Sequence, residues 1–219
     1  TKGFIKHKLI LFDFSFREVP PAISDDMKEF WGGYKIEFKI IDIDKHKALD
    51  GSVDKIRRNA VKISNNQSTK FKIDISRHEY CDEKDIFEID GQKFYGYSPK
   101  VFLAEKLRAI CQQMKEYADL VDSNPSPRPR DFVDIHILSN HYGINWASSD
   151  FQSTILLVFA KKKVPTTLIS NIRNNREFHI NGFPSVEATV LPNFQLEEFD
   201  FYFDFLCKRC EELKPLWYI

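Results

Sequence analysis

The sequence predicts an α+β fold, a β-rich first half followed by a helical second half, and three observations carry that reading. In "GGYKIEFKIIDID" (residues 32–44), Tyr34, Ile36, Phe38 and Ile40 alternate with Lys35, Glu37 and Lys39, the period of two that marks a strand with one buried face. In "DIFEIDGQKFYGYS" (85–98), Asp90-Gly91 stands between two alternating segments, a strong signal for a two-residue hairpin turn. After Ser98-Pro99 the apolar spacing changes to helical periods, so strands come in one run and helices in the next. The chain is therefore read as two halves, 1–98 and 99–219.

Taken in order, "KLILFDFSF" (8–16) is an apolar run rich in strand formers, and "TKFKIDIS" (69–76) sets Phe71, Ile73 and Ile75 against Lys70, Lys72 and Asp74. Between the second and third strands, "DGSVDKIRRNAVKIS" (50–64) holds a short basic helix. One helix spans 99–121, and the proline-rich "NPSPRPR" (124–130) is a loop. A second helix opens near Asp131 and runs to about Asn140, and 149–163, 165–176 and 195–213 are further helices. No internal repeat is visible.

Composition narrows the function classes. A chain of 219 residues, 42% hydrophobic, has enough apolar material for a packed core. Its 32 basic and 32 acidic residues cancel, so any anion-binding surface must be local. No run reaches the roughly 18 apolar residues of a membrane span, and the expected location is the cytoplasm. Cys207 and Cys210 form a lone Cys-x-x-Cys pair, two ligands where a zinc site needs four, so the four cysteines read as reduced and structural. Two basic runs, 54–62 and 160–165, fit either a solvated face or contacts to an RNA backbone.

Two charged residues stand out against this background. At about 100° per residue, Leu103, Leu107, Ile110, Cys111 and Met114 share one stripe of the 99–121 helix, with Glu105, Arg108 and Gln112 on the far side. Lys106 lies at the edge of the stripe. Either it lays its methylenes on the core and lifts its ammonium into solvent, or it points into a cleft toward an anion. In "RPRDFVDIHIL" (128–138), Pro129 suits a first helical turn, and Asp131 with Asp134 has the spacing of a helix cap. Asp131 also projects near the middle of an apolar face shared with Ile135 and Leu138, where a carboxylate needs a cation. Lys106 and Arg130 are the candidate partners, because a short interhelical loop can bring them together.

"YSPKVFLAEKLRAI" followed by "RPRDFVDIHIL" resembles the signature of the AbiEii/AbiGii abortive-infection toxins, the nucleotidyltransferases of type IV toxin–antitoxin systems. That signature pairs an Ala-Glu-Lys-Leu-x-Ala helix with an Arg-Asp-x-x-Asp helix. "WGGYKIEFKII" and "KFKIDIS" are similar to the family's central strands. The resemblance implies a nucleotidyltransferase-like fold with a mixed β-sheet in the first half. It implies transfer of a nucleotide from an NTP to an acceptor such as tRNA or another RNA, with Mg²⁺ as cofactor and a cognate antitoxin as partner. By the same resemblance Lys106 would contact the nucleotide's phosphates, Asp131 would complete the catalytic site, and Arg130 would be a second phosphate ligand. Asp13, with Asp74 from a neighbouring strand, would hold the metal, although plain strand alternation also explains Asp13 and explains Asp74 better. The family's Asp-x-Asp falls on Leu11-Phe12-Asp13, one carboxylate in place of two. Two expectations follow: a motif that the sequence only partly includes, or a degenerate site that binds nucleotide or RNA without turnover.

Overall fold

The first apolar segments form a ladder. After α1 (Lys2–Lys6), β1 (Leu9–Val19) pairs antiparallel with β2 (Gly33–Asp42), from Leu9 opposite Asp42 to Val19 opposite Gly33. The predicted strand 32–44 stops at Asp42 because that carboxylate accepts the backbone N–H groups of Asp44 (2.9 Å) and Lys45 (3.1 Å), capping α2 (Ile43–Ala48). The expected basic helix is α3 (Val53–Arg58), and β3 (Phe71–Ser76) adds antiparallel to the other edge of β2. In this sheet, ordered β1-β2-β3, Phe38 and Ile40 of the alternating set are buried, while Ile73 and Ile75 remain about half exposed.

The computed structural model describes residues 2–63, 68–82 and 84–219, so Thr1 of the opening segment and Ser64 of the basic segment lie outside the described residues. The chain divides into two units, Thr1–His78 and Glu79–Ile219. The hairpin, β4 (Lys84–Ile89) and β5 (Gln92–Tyr97), thus falls with the helices although its residues alternate like those of the sheet. Asp90 (φ 51°) and Gly91 (φ 73°) are both left-handed, the conformation that a two-residue turn between twisted strands requires. The expected mixed sheet is realised, among the described residues, as antiparallel pairings throughout.

In the second unit the predicted helix 99–121 is two helices, α4 (Pro99–Cys111) and α5 (Lys115–Ala118). Met114 is extended (ψ 146°) between them. The break accompanies burial of Tyr117, whose hydroxyl donates to the Lys162 carbonyl at 2.6 Å. Next come α6 (Pro129–His141), α7 (Ser149–Lys161), a 3₁₀ helix (Thr166–Asn175) where an α-helix was expected, α8 (Arg176–Ile180), α9 (Pro184–Glu187), α10 (Phe199–Glu211) and a last 3₁₀ turn (Lys214–Leu216). Leu103, Leu107, Ile110 and Cys111 of α4 are fully buried, packed among α6 and α7, and Phe132 of α6 meets Phe199 of α10 edge-on and stacks with Phe203. Burying such side chains is worth about 1.5–3 kcal/mol each. That core fixes α4 and α6 side by side.

Candidate functional site

Lys106 projects from α4 toward the first turns of α6. Its ammonium donates to Asp131 Oδ1 at 2.9 Å and Asp134 Oδ2 at 2.6 Å, and lies 4.9 Å from the centre of the Phe102 ring. Of the two readings left open by the sequence, the pairing one is therefore right: the side chain is only 15% exposed. Burial pulls the Lys106 pKa down, but the two carboxylates, Asp131 foremost, push it up by more, and the net shift is upward. Asp131 makes no capping bond. Its other oxygen accepts from Arg128 Nε at 2.5 Å, and at 4% side-chain exposure it is the most deeply placed charge of the group. Arg130, expected to meet Asp131, instead donates to Thr189 Oγ1 at 2.6 Å. A cleft of about 550 Å³ opens here, lined by Lys106, Arg128, Arg130 and Asp131, with Ser185 and Thr189 on its other side.

The start of α6 is held from below. The buried His179 of α8 accepts the Arg128 backbone N–H at Nδ1 (3.1 Å) and packs on Phe132. Burial depresses its pKa to about 4, so the ring is neutral and can accept. Gly182 lies against the same loop, and a Cβ there would meet Pro127 at 2.8 Å.

In the first unit, two residues of β1, Asp13 and Phe14, face the single Phe38 between the Phe12–Lys39 and Ser15–Glu37 pairs. This is a β-bulge, which re-aims a side chain, and Asp13 takes a left-handed φ of 49° within it. The Asp13 carboxylate accepts from Arg57 Nε (2.7 Å) and Nη2 (2.9 Å), with Lys39 at 3.6 Å. Arg57 thereby holds the carboxyl below its usual range. Asp74 is 70% exposed and pairs with Lys35 at 3.3 Å. β2 separates the two aspartates, and with Asp74 level with Lys35 and Asp13 beside Lys39 they stand roughly 14 Å apart along the strands and about 10 Å apart across them. In place of a shared ion, each meets a cation of its own in this sheet, Arg57 for Asp13 and Lys35 for Asp74.

A sequence model of the nucleotidyl transferase AbiEii toxins, of type IV toxin–antitoxin systems, matches residues 12–182. The chain belongs to this AbiEii family. No curated protein matches it, and no solved structure does. Membership in the AbiEii family makes a nucleotidyltransferase toxin the general description of the chain, and a cognate antitoxin the partner that goes with it. No helix among the described residues is long and apolar enough to cross a membrane.

The resemblance to AbiEii toxins carries an expectation of Mg²⁺, which one or two carboxylates together with a substrate's phosphates commonly hold. No group of three His, Cys, Asp or Glu side chains suited to a metal occurs among the described residues. Asp13 is occupied by Arg57, and Asp131 and Asp134 by Lys106.

Several residues escaped sequence reasoning. Arg128 is one, placed in the loop by reading α6 two residues short. Glu105 and Arg108, placed on the far side from the apolar stripe, are 8% and 7% exposed. They pair with each other, Arg108 reaches Glu79 at 3.7 Å, and Lys162 meets Glu79 at 3.4 Å. α4 is covered on both sides, so its polar stripe forms a buried charge cluster. Lys162, the middle of the basic run 160–165, is drawn into that cluster, leaving Lys161 and Lys163 at the surface.

Proposed function

We propose that the protein binds a nucleoside triphosphate with its phosphates in the Lys106 cleft and transfers the nucleotidyl group to an RNA hydroxyl. The observation that carries this is the convergence of Lys106 and Arg128 on Asp131, with Arg130 lining the same cleft, at one end of α6. Three cations in a partly desolvated cleft offer donors to a triphosphate's oxygens, once freed from Asp131 and Asp134, and would stabilise the charge that builds up as the anhydride breaks. Once Lys106 and Arg128 turn to phosphate oxygens, Asp131 is released to accept the proton of the attacking hydroxyl. The hydroxyl oxygen bonds the α-phosphorus and pyrophosphate leaves. Mg²⁺ would arrive bound to the triphosphate, as it commonly does.

An RNA acceptor is supported by the polar face of the first unit's sheet. Arg17, Lys35, Lys39, Lys70 and Lys72 stand there beside only Glu37, Asp13 and Asp74, an excess of positive charge suited to a phosphodiester backbone. The Arg57–Asp13 pair favours a second reading, binding of nucleotide or RNA without turnover.

Lys106→Ala should weaken NTP binding by tenfold or more while the thermal melt stays cooperative. Unchanged affinity would sink the assignment of the cleft. Incubation with α-phosphate-labelled NTPs and total tRNA separates the readings, since only a transferase leaves covalent label on the RNA.

A further inference from the structure

The Lys106 cleft does not end at Arg130. Along α6, Arg130 and Thr189 also border a second depression of about 210 Å³ whose remaining wall is almost wholly apolar. Val133 and Ile137 of α6 form one side, and Val190, Leu191 and Phe194 the other. Ile137 is 40% exposed, Leu191 71% and Phe194 37%. Side chains of this kind, gathered in a groove rather than scattered, mark a binding surface. From Arg130 to Ile137 the helix advances about 10 Å, so a charged depression and an apolar one adjoin along α6, with the Arg130–Thr189 hydrogen bond where they meet.

We infer that this groove holds the base of the nucleotide whose phosphates occupy the cleft. The assignment rests on the reading of the cleft given above and extends it to a second subsite. A nucleotide has the matching polarity: a polyanionic chain for Lys106, Arg128 and Arg130, joined to a flat heterocycle for the apolar end. Cleft and groove together fall in the range of a few hundred to about 1,000 Å³ usual for small-molecule sites. Phe194 supplies an aromatic face on which a base can stack, a contact tolerant of base identity because every base has a π-face. Val186–Phe194 lie beyond residues 12–182, the stretch matched by the family, so this wall of the groove is furnished by the chain's own continuation. Asp134, which also lines the groove, is tied to Lys106 and links the two subsites directly.

The test compares ATP, GTP, CTP and UTP with inorganic tripolyphosphate, by calorimetry, on the full chain and on Phe194→Ala and Ile137→Ala. Both positions are partly exposed, and circular dichroism checks that the variants fold. The expected result is that NTPs bind more tightly than tripolyphosphate, that each variant weakens NTP binding on the order of tenfold, and that tripolyphosphate affinity does not change. Equal affinity of NTPs and tripolyphosphate overturns the groove assignment while leaving the cleft reading intact, as would a groove that takes an apolar protein segment instead. Failure of both ligand types to bind overturns the cleft and the groove together.

Discussion

Removing Asp131 and removing Asp134 should have unequal effects. Both carboxylates meet Lys106, but Asp131 is 4% exposed and also holds Arg128, whereas Asp134 is 28% exposed. Asp131→Ala leaves a half-buried ammonium with a single counter-charge and should destabilise the fold by about 3 kcal/mol. Asp134→Ala, nearer to solvent, should cost about 1 kcal/mol or less. Urea midpoints of the two variants measure the difference, and equal losses would mean that Asp131 is not the anchor. Helical spacing located Lys106 at the edge of its stripe and Asp131 on an apolar face, which is enough to expect the pair. It could not supply Arg128, because a helix that begins two residues early turns a loop arginine into an i,i+3 neighbour. Nor could it aim Arg130, which sits next to Asp131 in sequence but about 100° away around the axis.

Elements were legible where one local conformation decides them. Asp90-Gly91 dictates its hairpin, since the turn needs two left-handed residues together. The β1 bulge was not legible, because two residues facing one is a property of the pair of strands and not of either. The 3₁₀ stretch Thr166–Asn175 escaped because periods of three and 3.6 differ little over so short a length. α10 carries a prediction of its own. Burial raises the Cys207 thiol to about 11 and Cys210 well above its usual value, so both stay protonated at neutral pH. Iodoacetamide at pH 7.5 should modify neither at the rate of an ordinary thiol in the folded chain, and both once urea unfolds it. Fast labelling of folded Cys210 would refute the structural assignment of this Cys-x-x-Cys pair.

At the scale of the whole molecule, two buried groups set opposing pH dependences. Burial, reinforced by the Glu79 carboxylate, lifts Glu105 to about 7 despite Arg108, above its unfolded value, so its contribution to stability falls as pH rises from about 4.5 to 7. His179, lowered to about 4, binds its proton only on unfolding, so its contribution is lost as pH falls from about 6.5 to 4. Between about pH 4.5 and 6.5 the slopes cancel. Glu105→Gln should therefore make stability rise with pH across that window, by up to about 1.4 kcal/mol per unit, and His179→Asn should make it fall. Denaturation at four pH values reads the sign, and matching slopes in the two variants would contradict both assignments. The charge balance of 32 against 32 has a related consequence, since it denies the chain a long-range field to draw anions in. On the proposed reading, selection would happen at Lys106, already neutralised by two carboxylates, so a ligand would enter by ion exchange instead of filling a vacant positive hole. Such a gate would filter by valence: a singly charged anion would gain too little to displace two fixed carboxylates, and a triphosphate would carry the charge to do it.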